Sequence, residues 1–324
     1  MEFYQIMSED SKGPGWTTMK IDPEIFEELG VRDPEETKRE MAISKRARQV
    51  RKELKDDPDN IDLQLELGRL FIDGGELDEA IKQLKQIISR DQQNGLCYKL
   101  LGTAYAMSNH EDEAIRELTR ASELLPEDPE VHLNLGGVFM LQDMYESAAR
   151  CFKKVVEIDP MDRLGYANLA AAYDLDKKYD EEVQVLKKIL MFAPEDIELR
   201  SALSTAYFNS ENYDEALNHA LCVVELDEKD PQAYCNLGSC YSAQNMIDEA
   251  IGAFQKASEI DPDYSLPHTN LGSLYATIGR IEKAIKEFKL ATTMNQSDAL
   301  GWMNLYSCYK EVGRMEDAQE AYKK

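Results

Sequence analysis

One frame recurs along this chain every 34 residues without insertion or deletion, and that regularity constrains the fold more than any other feature. In its fullest copy the frame reads Tyr234-x2-Leu237-Gly238-x2-Tyr241, then Ala250-x3-Phe254, then Pro262. A first small-residue slot falls at Gly68, Gly102, Gly136, Ala170, Ser204, Gly238 and Gly272, and is broken by Tyr306. A second falls at Ala80, Ala114, Ala148, Ala216, Ala250, Ala284 and Ala318, and is broken by Glu182. An aromatic follows the first slot in every copy: Phe71, Tyr105, Phe139, Tyr173, Tyr207, Tyr241, Tyr275 and Tyr309. Pro262 stands where a helix must stop, because it has no N–H to donate and disfavours helix in the residue before it. At 324 residues the length alone would allow two domains. A uniform repeat argues instead for one solenoid, whose core is long and thin rather than a ball.

The frame, over Ile61 to Lys324, resembles the tetratricopeptide repeat (TPR), a pair of antiparallel helices with small residues where the two touch. The resemblance implies an all-α fold: eight helix pairs in a right-handed superhelix, an α-α solenoid with the first helix of each pair (helix A) on the concave side. Asn60–Asp73 would be one A helix and Glu76–Ser89 the helix B that follows. Gly238 and Ala250 would let the two helices of one pair approach, while Leu237, Tyr241 and Phe254 fill the gap to the next pair.

Three segments are expected: a mobile tail over 1–20, a helical cap over 21–58, and the tandem array over 59–324. Asp22-Pro23-Glu24 and Asp33-Pro34-Glu35 are both helix-start signals, so about eighteen helices and no sheet are expected in all. On the second of these helices Ile43, Ala47, Val50 and Leu54 share one face, which should pack near Leu63, Leu67 and Leu70 as a B helix would. From Lys38 to Lys55 that helix carries eight basic residues against two acidic ones. Arg39, Arg46 and Lys52 are expected to face outward, either as a solvated surface or as a docking strip for an acidic partner.

Elsewhere the chain is acidic, with a net charge of −25 that disfavours nucleic acid as a ligand of the repeat body. Part of this acidity is local: an acid stands two residues before the helix B slot in all eight copies, where a helix N-terminus favours it. Six scattered cysteines read as core filler and suit a reducing, cytoplasmic setting. The start has neither the basic nor the apolar region of a secretion signal, and no apolar run reaches the length of a membrane span. No metal-binding, phosphate-binding or nucleophile motif is present, so the expectation is a protein without cofactor or catalytic residues. His132 and His268 occupy a slot that is Tyr98, Tyr166, Tyr234 and Trp302 elsewhere, which is a packing position.

The informative series lies two residues before the helix A slot: Asn134, Asn168, Asn236, Asn270 and Asn304, interrupted by Glu66, Leu100 and Ala202. This ladder resembles the asparagine arrays in the TPR regions of O-linked N-acetylglucosamine transferase and kinesin light chain. By that resemblance the carboxamides would grip the backbone of an extended peptide. A carboxamide suits the task, since it offers donor and acceptor irrespective of the peptide's side chains. Around it Gln232, Cys235, Ser239, Ser242, Thr269, Ser273, Ala276, Thr277 and Ser307 are expected to form small, neutral walls. A carboxylate clamp of the chaperone-tail kind is not expected, because only Arg69, Lys99 and Lys310 supply inner cations.

Two departures stand out. Glu182 is expected to reach the surface and loosen its junction, and Tyr306 fills a slot that is otherwise small. The chain stops at Lys324, six residues past Ala318, so either it continues or a partner covers its end. The leading expectation is a non-enzymatic scaffold binding extended peptide segments of partner proteins. The alternatives are the recognition arm of a larger enzyme, and a scaffold that assembles with copies of itself.

Overall fold

The computed structural model describes residues 34–324, and every regular element among them is an α-helix. The expected tail and the short helix opening at Asp22-Pro23 lie outside the described residues. Helix α1 covers Pro34–Asp56. Sixteen helices follow among the described residues: α2 Ile61–Asp73 with α3 Leu77–Arg90, α4 Gly95–Met107 with α5 Glu111–Leu124, α6 Pro129–Leu141 with α7 Tyr145–Ile158, and then α8 Arg163–Leu175 and α9 Tyr179–Phe192. The remaining pairs are α10 Ile197–Asn209 with α11 Tyr213–Leu226, α12 Pro231–Ala243 with α13 Ile247–Ile260, α14 Leu266–Thr277 with α15 Ile281–Met294, and α16 Ala299–Glu311 with α17 Met315–Tyr322. Even-numbered helices are the A helices and the odd ones from α3 are the B helices. The chain divides into two compact units, one ending at Ala172 and one beginning at Tyr173.

Local signals explain the boundaries. Seven of the eight A helices open on an Asx residue whose side chain accepts from a first-turn amide, as Asn60 does from Leu63 N and Asp196 from Leu199 N. The exception is Tyr264, and its helix α14 begins without such a cap. Between A and B helices one residue per repeat takes a left-handed conformation: Gly75, Asn109, Asp143, Lys177, Glu211, Asn245, Gly279 and Gly313. That residue ends the A helix and turns the chain back, a position glycine and asparagine adopt most cheaply.

The two small-residue slots set how closely the helices of a pair approach. A Cβ built on Gly136 would lie 2.5 Å from Phe152, and one on Gly238 would lie 2.6 Å from Phe254. The helix B aromatic therefore presses on the glycine of its own pair, where the sequence reading had sent Phe254 into the gap to the next pair. Ser204 is accommodated because its hydroxyl donates to Ala216 O at 2.9 Å. Tyr306, too large for the slot, packs its ring against Tyr322 with centroids 5.5 Å apart.

In the first unit, Val50 of α1 is fully buried in a core with Leu65, Leu67, Phe71 and Leu84, and Ala47, Leu54, Leu63 and Leu70 border it. Helix α1 thus covers the first A helix through the expected face. In the second unit Phe254, Leu271, Phe288 and Tyr309 build the core. All six cysteines are free thiols, and burial pushes those of Cys97 and Cys235 up to about 12, which leaves them protonated near neutral pH.

Glu182 corrects an expectation. It does not reach the surface: it is 7% exposed, and its Oε2 has no hydrogen-bond partner among the described residues. Its slot faces inward in every repeat, and a helix fixes that direction regardless of which side chain occupies it. Burial, and secondarily the charge of Asp174, push its carboxyl up to about 7. A carboxyl with a folded pKa above its unfolded value of 4.5 penalises folding where the native state ionises, above pH 7. The penalty fades as pH falls from 7 towards 4.5 and the native state takes up the proton. Replacing Glu182 by Ala is therefore expected to stabilise the protein at pH 8 by on the order of 1–3 kcal/mol, with the gain shrinking towards pH 5. Thermal unfolding of both proteins across that range checks it. A loss of stability at pH 8 would show a dedicated partner for the carboxylate.

Candidate functional site

The asparagine series sits on A helices, one helical step from the buried leucines Leu135, Leu169, Leu237, Leu271 and Leu305. That neighbour relation holds each asparagine half-buried at the edge of the core with its carboxamide at the surface. The five are not equivalent. In the first unit Asn134 donates from Nδ2 to Thr103 Oγ1 of the preceding A helix at 3.0 Å, which ties α6 to α4. Asn168, on α8, makes no side-chain hydrogen bond among the described residues. The second unit holds the other three.

Asn236 is oriented by its neighbours. Gln232, one turn earlier on α12, donates from Nε2 to Asn236 Oδ1 at 2.9 Å. Tyr264 in turn donates its hydroxyl proton to Gln232 Oε1. Burial, with Cys235, Asp230 and Asp261 nearby, pushes the Tyr264 phenol up to about 12, so it stays a donor. The relay orients the carboxamide through one lone pair of the Asn236 carbonyl and leaves the other lone pair and the NH2 group unbonded among the described residues. The side chains of Asn270 and Asn304 make no hydrogen bond among the described residues, so both donor and acceptor are available.

Asn270 opens into a cleft of about 270 Å³ between α12 and α14, together with Ser239, Ser242, Ser273 and Thr277. Its apolar lining comes from Phe208, Ala243, Phe254 and Leu274. Three of the four hydroxyl protons along this wall are committed to the wall's own helices: Ser239 donates to Cys235 O, Ser273 to Thr269 O, and Thr277 to Ser273 O. What these three oxygens offer is their remaining lone pairs, so Ser239, Ser273 and Thr277 can accept, while Ser242 and Asn270 can both donate and accept. Ser307 follows the pattern on α16, donating to Met303 O. No charged side chain lines the cleft.

The structure also removes residues from the expected walls. Cys235 and Thr269 are buried in the packing rather than at the surface, and Ala276 packs against the core. The sequence reading missed Phe208 and Tyr264. Tyr264 had a legible signal, since it replaces the helix-capping Asx of the other seven repeats and so frees that position for another use. Phe208 had none, because its role depends on how α10 sits against α12.

Inner cations are spoken for. Lys99 is held by Asp128 at 2.9 Å and Glu130 at 2.7 Å. Burial would lower its pKa, but the two carboxylates outweigh that and raise it. Lys310 lies over the ring of Tyr306, 5.3 Å from its centroid. Of the residues expected on the basic strip, Arg39 and Lys52 are exposed. Arg46 is not free. Its guanidinium makes a bidentate pair with Glu66, Nε to Oε1 at 2.6 Å and the second nitrogen to Oε2 at 2.8 Å. Glu66 stands at the ladder position of the first repeat, so the series gives way there to an ion pair with α1. His268 pairs its Nδ1 with Glu287 at 2.8 Å, and His132 bonds Pro126 O at 2.9 Å, both from packing positions. Among the described residues no cluster of three metal-ligating side chains occurs, and no helix is long and apolar enough to cross a membrane.

These features define a class: an α-helical repeat protein with a polar face on its A helices. Models of the tetratricopeptide repeat match residues 45–103, 106–173, 231–264 and 253–286, together more than half of the chain. The chain belongs to the tetratricopeptide repeat family. Among solved structures it is similar to the MamA protein (23% identity, TM-score 0.46, over 53% of this chain and 93% of that one). It is also similar to MamA 41-end from Desulfovibrio magneticus RS-1 (21% identity, TM-score 0.45, over 52% and 95%). A third is the APC/C hetero-tetramer Cut9-Hcn1 (18% identity, TM-score 0.44, over 82% of this chain and 52% of that one). Comparison with curated proteins gives no match.

The relay that orients Asn236 is testable without a ligand. Tyr264→Phe removes one hydrogen bond, so stability should fall by no more than about 0.5–1.5 kcal/mol. The side-chain amide resonances of Gln232 and Asn236 should shift together in a proton–nitrogen correlation spectrum. If both stay in place, the hydroxyl does not hold the relay.

Proposed function

We propose that the A-helix face of the second unit binds an extended, uncharged peptide segment of a partner protein. The single observation that carries this reading is the cleft at Asn270, where an unpaired carboxamide stands among hydroxyl acceptors over an apolar floor. Asn236 and Asn304, on the neighbouring A helices, continue the same chemistry to either side. An extended peptide exposes alternating N–H and C=O groups that match such a row, and small side chains let its backbone approach. A neutral lining disfavours a charged side chain at the cleft, since a buried charge needs a partner.

The protein acts in this reading as a scaffold without catalytic residues or cofactor. Its six free cysteines support a reducing, cytoplasmic setting. Its net charge of −25 argues against nucleic acid as the ligand of the repeat body.

A library of extended peptides displayed on phage, followed by calorimetry on the selected sequences, identifies the ligand. Replacing Asn236, Asn270 and Asn304 together by Ala is expected to weaken binding by about tenfold to a thousandfold, since each backbone hydrogen bond contributes about 0.5–1.5 kcal/mol. Thermal stability should barely change, because only Asn236 has an internal hydrogen bond to lose. Equal binding by the triple variant would refute the reading.

A further inference from the structure

Helix α1 has two chemically distinct sides. The inner side packs Val50 and its neighbours on the first repeat, and its flank is a set of basic-on-acidic contacts. Arg46 pairs with Glu66, while Arg51 approaches Glu76 at 3.8 Å and lies over the Phe71 ring, 5.0 Å from its centroid. Opposite them runs a stripe at alternating steps of three and four: Lys38, Met41, Lys45, Arg48, Lys52 and Lys55. On a continuous helix that spacing holds one face for about 25 Å. All six residues are exposed, Met41 at 68%, and none of the five basic ones makes an ion pair or hydrogen bond among the described residues. The stripe differs from the strip read in the sequence: Arg46 is consumed by Glu66, and Arg39 lies off its line.

We propose that this stripe docks a second copy of the chain, against the carboxylates that crown its B helices. The proposal is independent of the peptide groove. Its basis is charge complementarity. Outside Lys38–Lys55 the chain carries thirty-one more acids than bases. Many of them stand exposed in the first turns of B helices, and Asp78, Glu79, Asp112, Asp248 and Glu249 make no ion pair among the described residues. Within one chain the same helix already pairs with carboxylates, through Arg46 on Glu66 of an A helix and Arg51 on Glu76 at the N-cap of α3. The outer stripe would repeat that chemistry between chains.

Other anionic surfaces fit less well. A membrane would gain nothing but charge, since the apolar face of α1 is occupied by the core and cannot insert. A nucleic acid long enough to pass the stripe would run onto the acidic body.

The contact has a characteristic salt dependence. Near 0.01 M salt the Debye length is about 30 Å, and two bodies of net charge −25 repel as wholes. Near 0.15 M it is about 8 Å, which screens that repulsion but keeps the charges in contact, and near 1 M it is about 3 Å. Association should therefore peak at the middle value.

Sedimentation velocity across the micromolar range tests this. Wild type should associate near 0.15 M salt, less near 0.01 M, and remain monomeric near 1 M. Lys45→Glu with Lys52→Glu should reduce the association constant by about tenfold or more, with unchanged helix content by circular dichroism. A wild type that is monomeric at all three salt levels would overturn the proposal. So would association that the double reversal leaves intact. A monomeric wild type that binds phosphatidylserine vesicles or duplex DNA through the stripe would also overturn it, by assigning the stripe to a phosphate surface.

Discussion

The fold rests on one contact that recurs in five of the eight repeats: a helix A glycine against a large apolar residue of its own helix B. Phe152, Phe254 and Phe288 occupy space that a Cβ on Gly136, Gly238 or Gly272 would need, and Leu118 does the same beside Gly102. Because close packing leaves no slack, the approach of the two helices is fixed to within a fraction of an ångström. Their rotation is then fixed as well, so the residue two before the small slot keeps one place relative to its repeat. A ladder of asparagines can exist only on a scaffold whose register never slips.

Most of the architecture was legible because each of its determinants is local and recurs with the frame. The small slots, the Asx caps and the acids of the B helices can all be read from single positions, and α2 and α3 begin and end within one residue of their expected bounds. The ladder positions were legible for the same reason. What escaped the sequence depends on contacts across helices. Cys235 and Thr269 look like wall residues by composition, but the packing buries them. Arg46 looks like a free surface cation until α1 is laid on α2, where Glu66 meets it. Glu182 looks too polar to bury, yet its helical position offers no way out.

The molecule separates its chemistry by element. The cleft on the A helices of the second unit is neutral and offers hydrogen bonds, while the B-helix ends carry carboxylates and α1 carries unpaired cations. Neutral and charged recognition therefore need not compete. Salt would modulate the charged contacts strongly and leave backbone hydrogen bonding in the cleft almost untouched.

The central claim is that the asparagines read a peptide's backbone rather than its side chains. The most direct measurement replaces single amides of a bound peptide by esters, which removes one N–H donor and weakens one carbonyl acceptor without altering any side chain. Calorimetry should then show a loss of about 0.5–1.5 kcal/mol at the ester position facing Asn270, and this loss should vanish in the Asn270→Ala protein. Undiminished binding by every ester analogue would contradict the account, since affinity would then come from side chains alone.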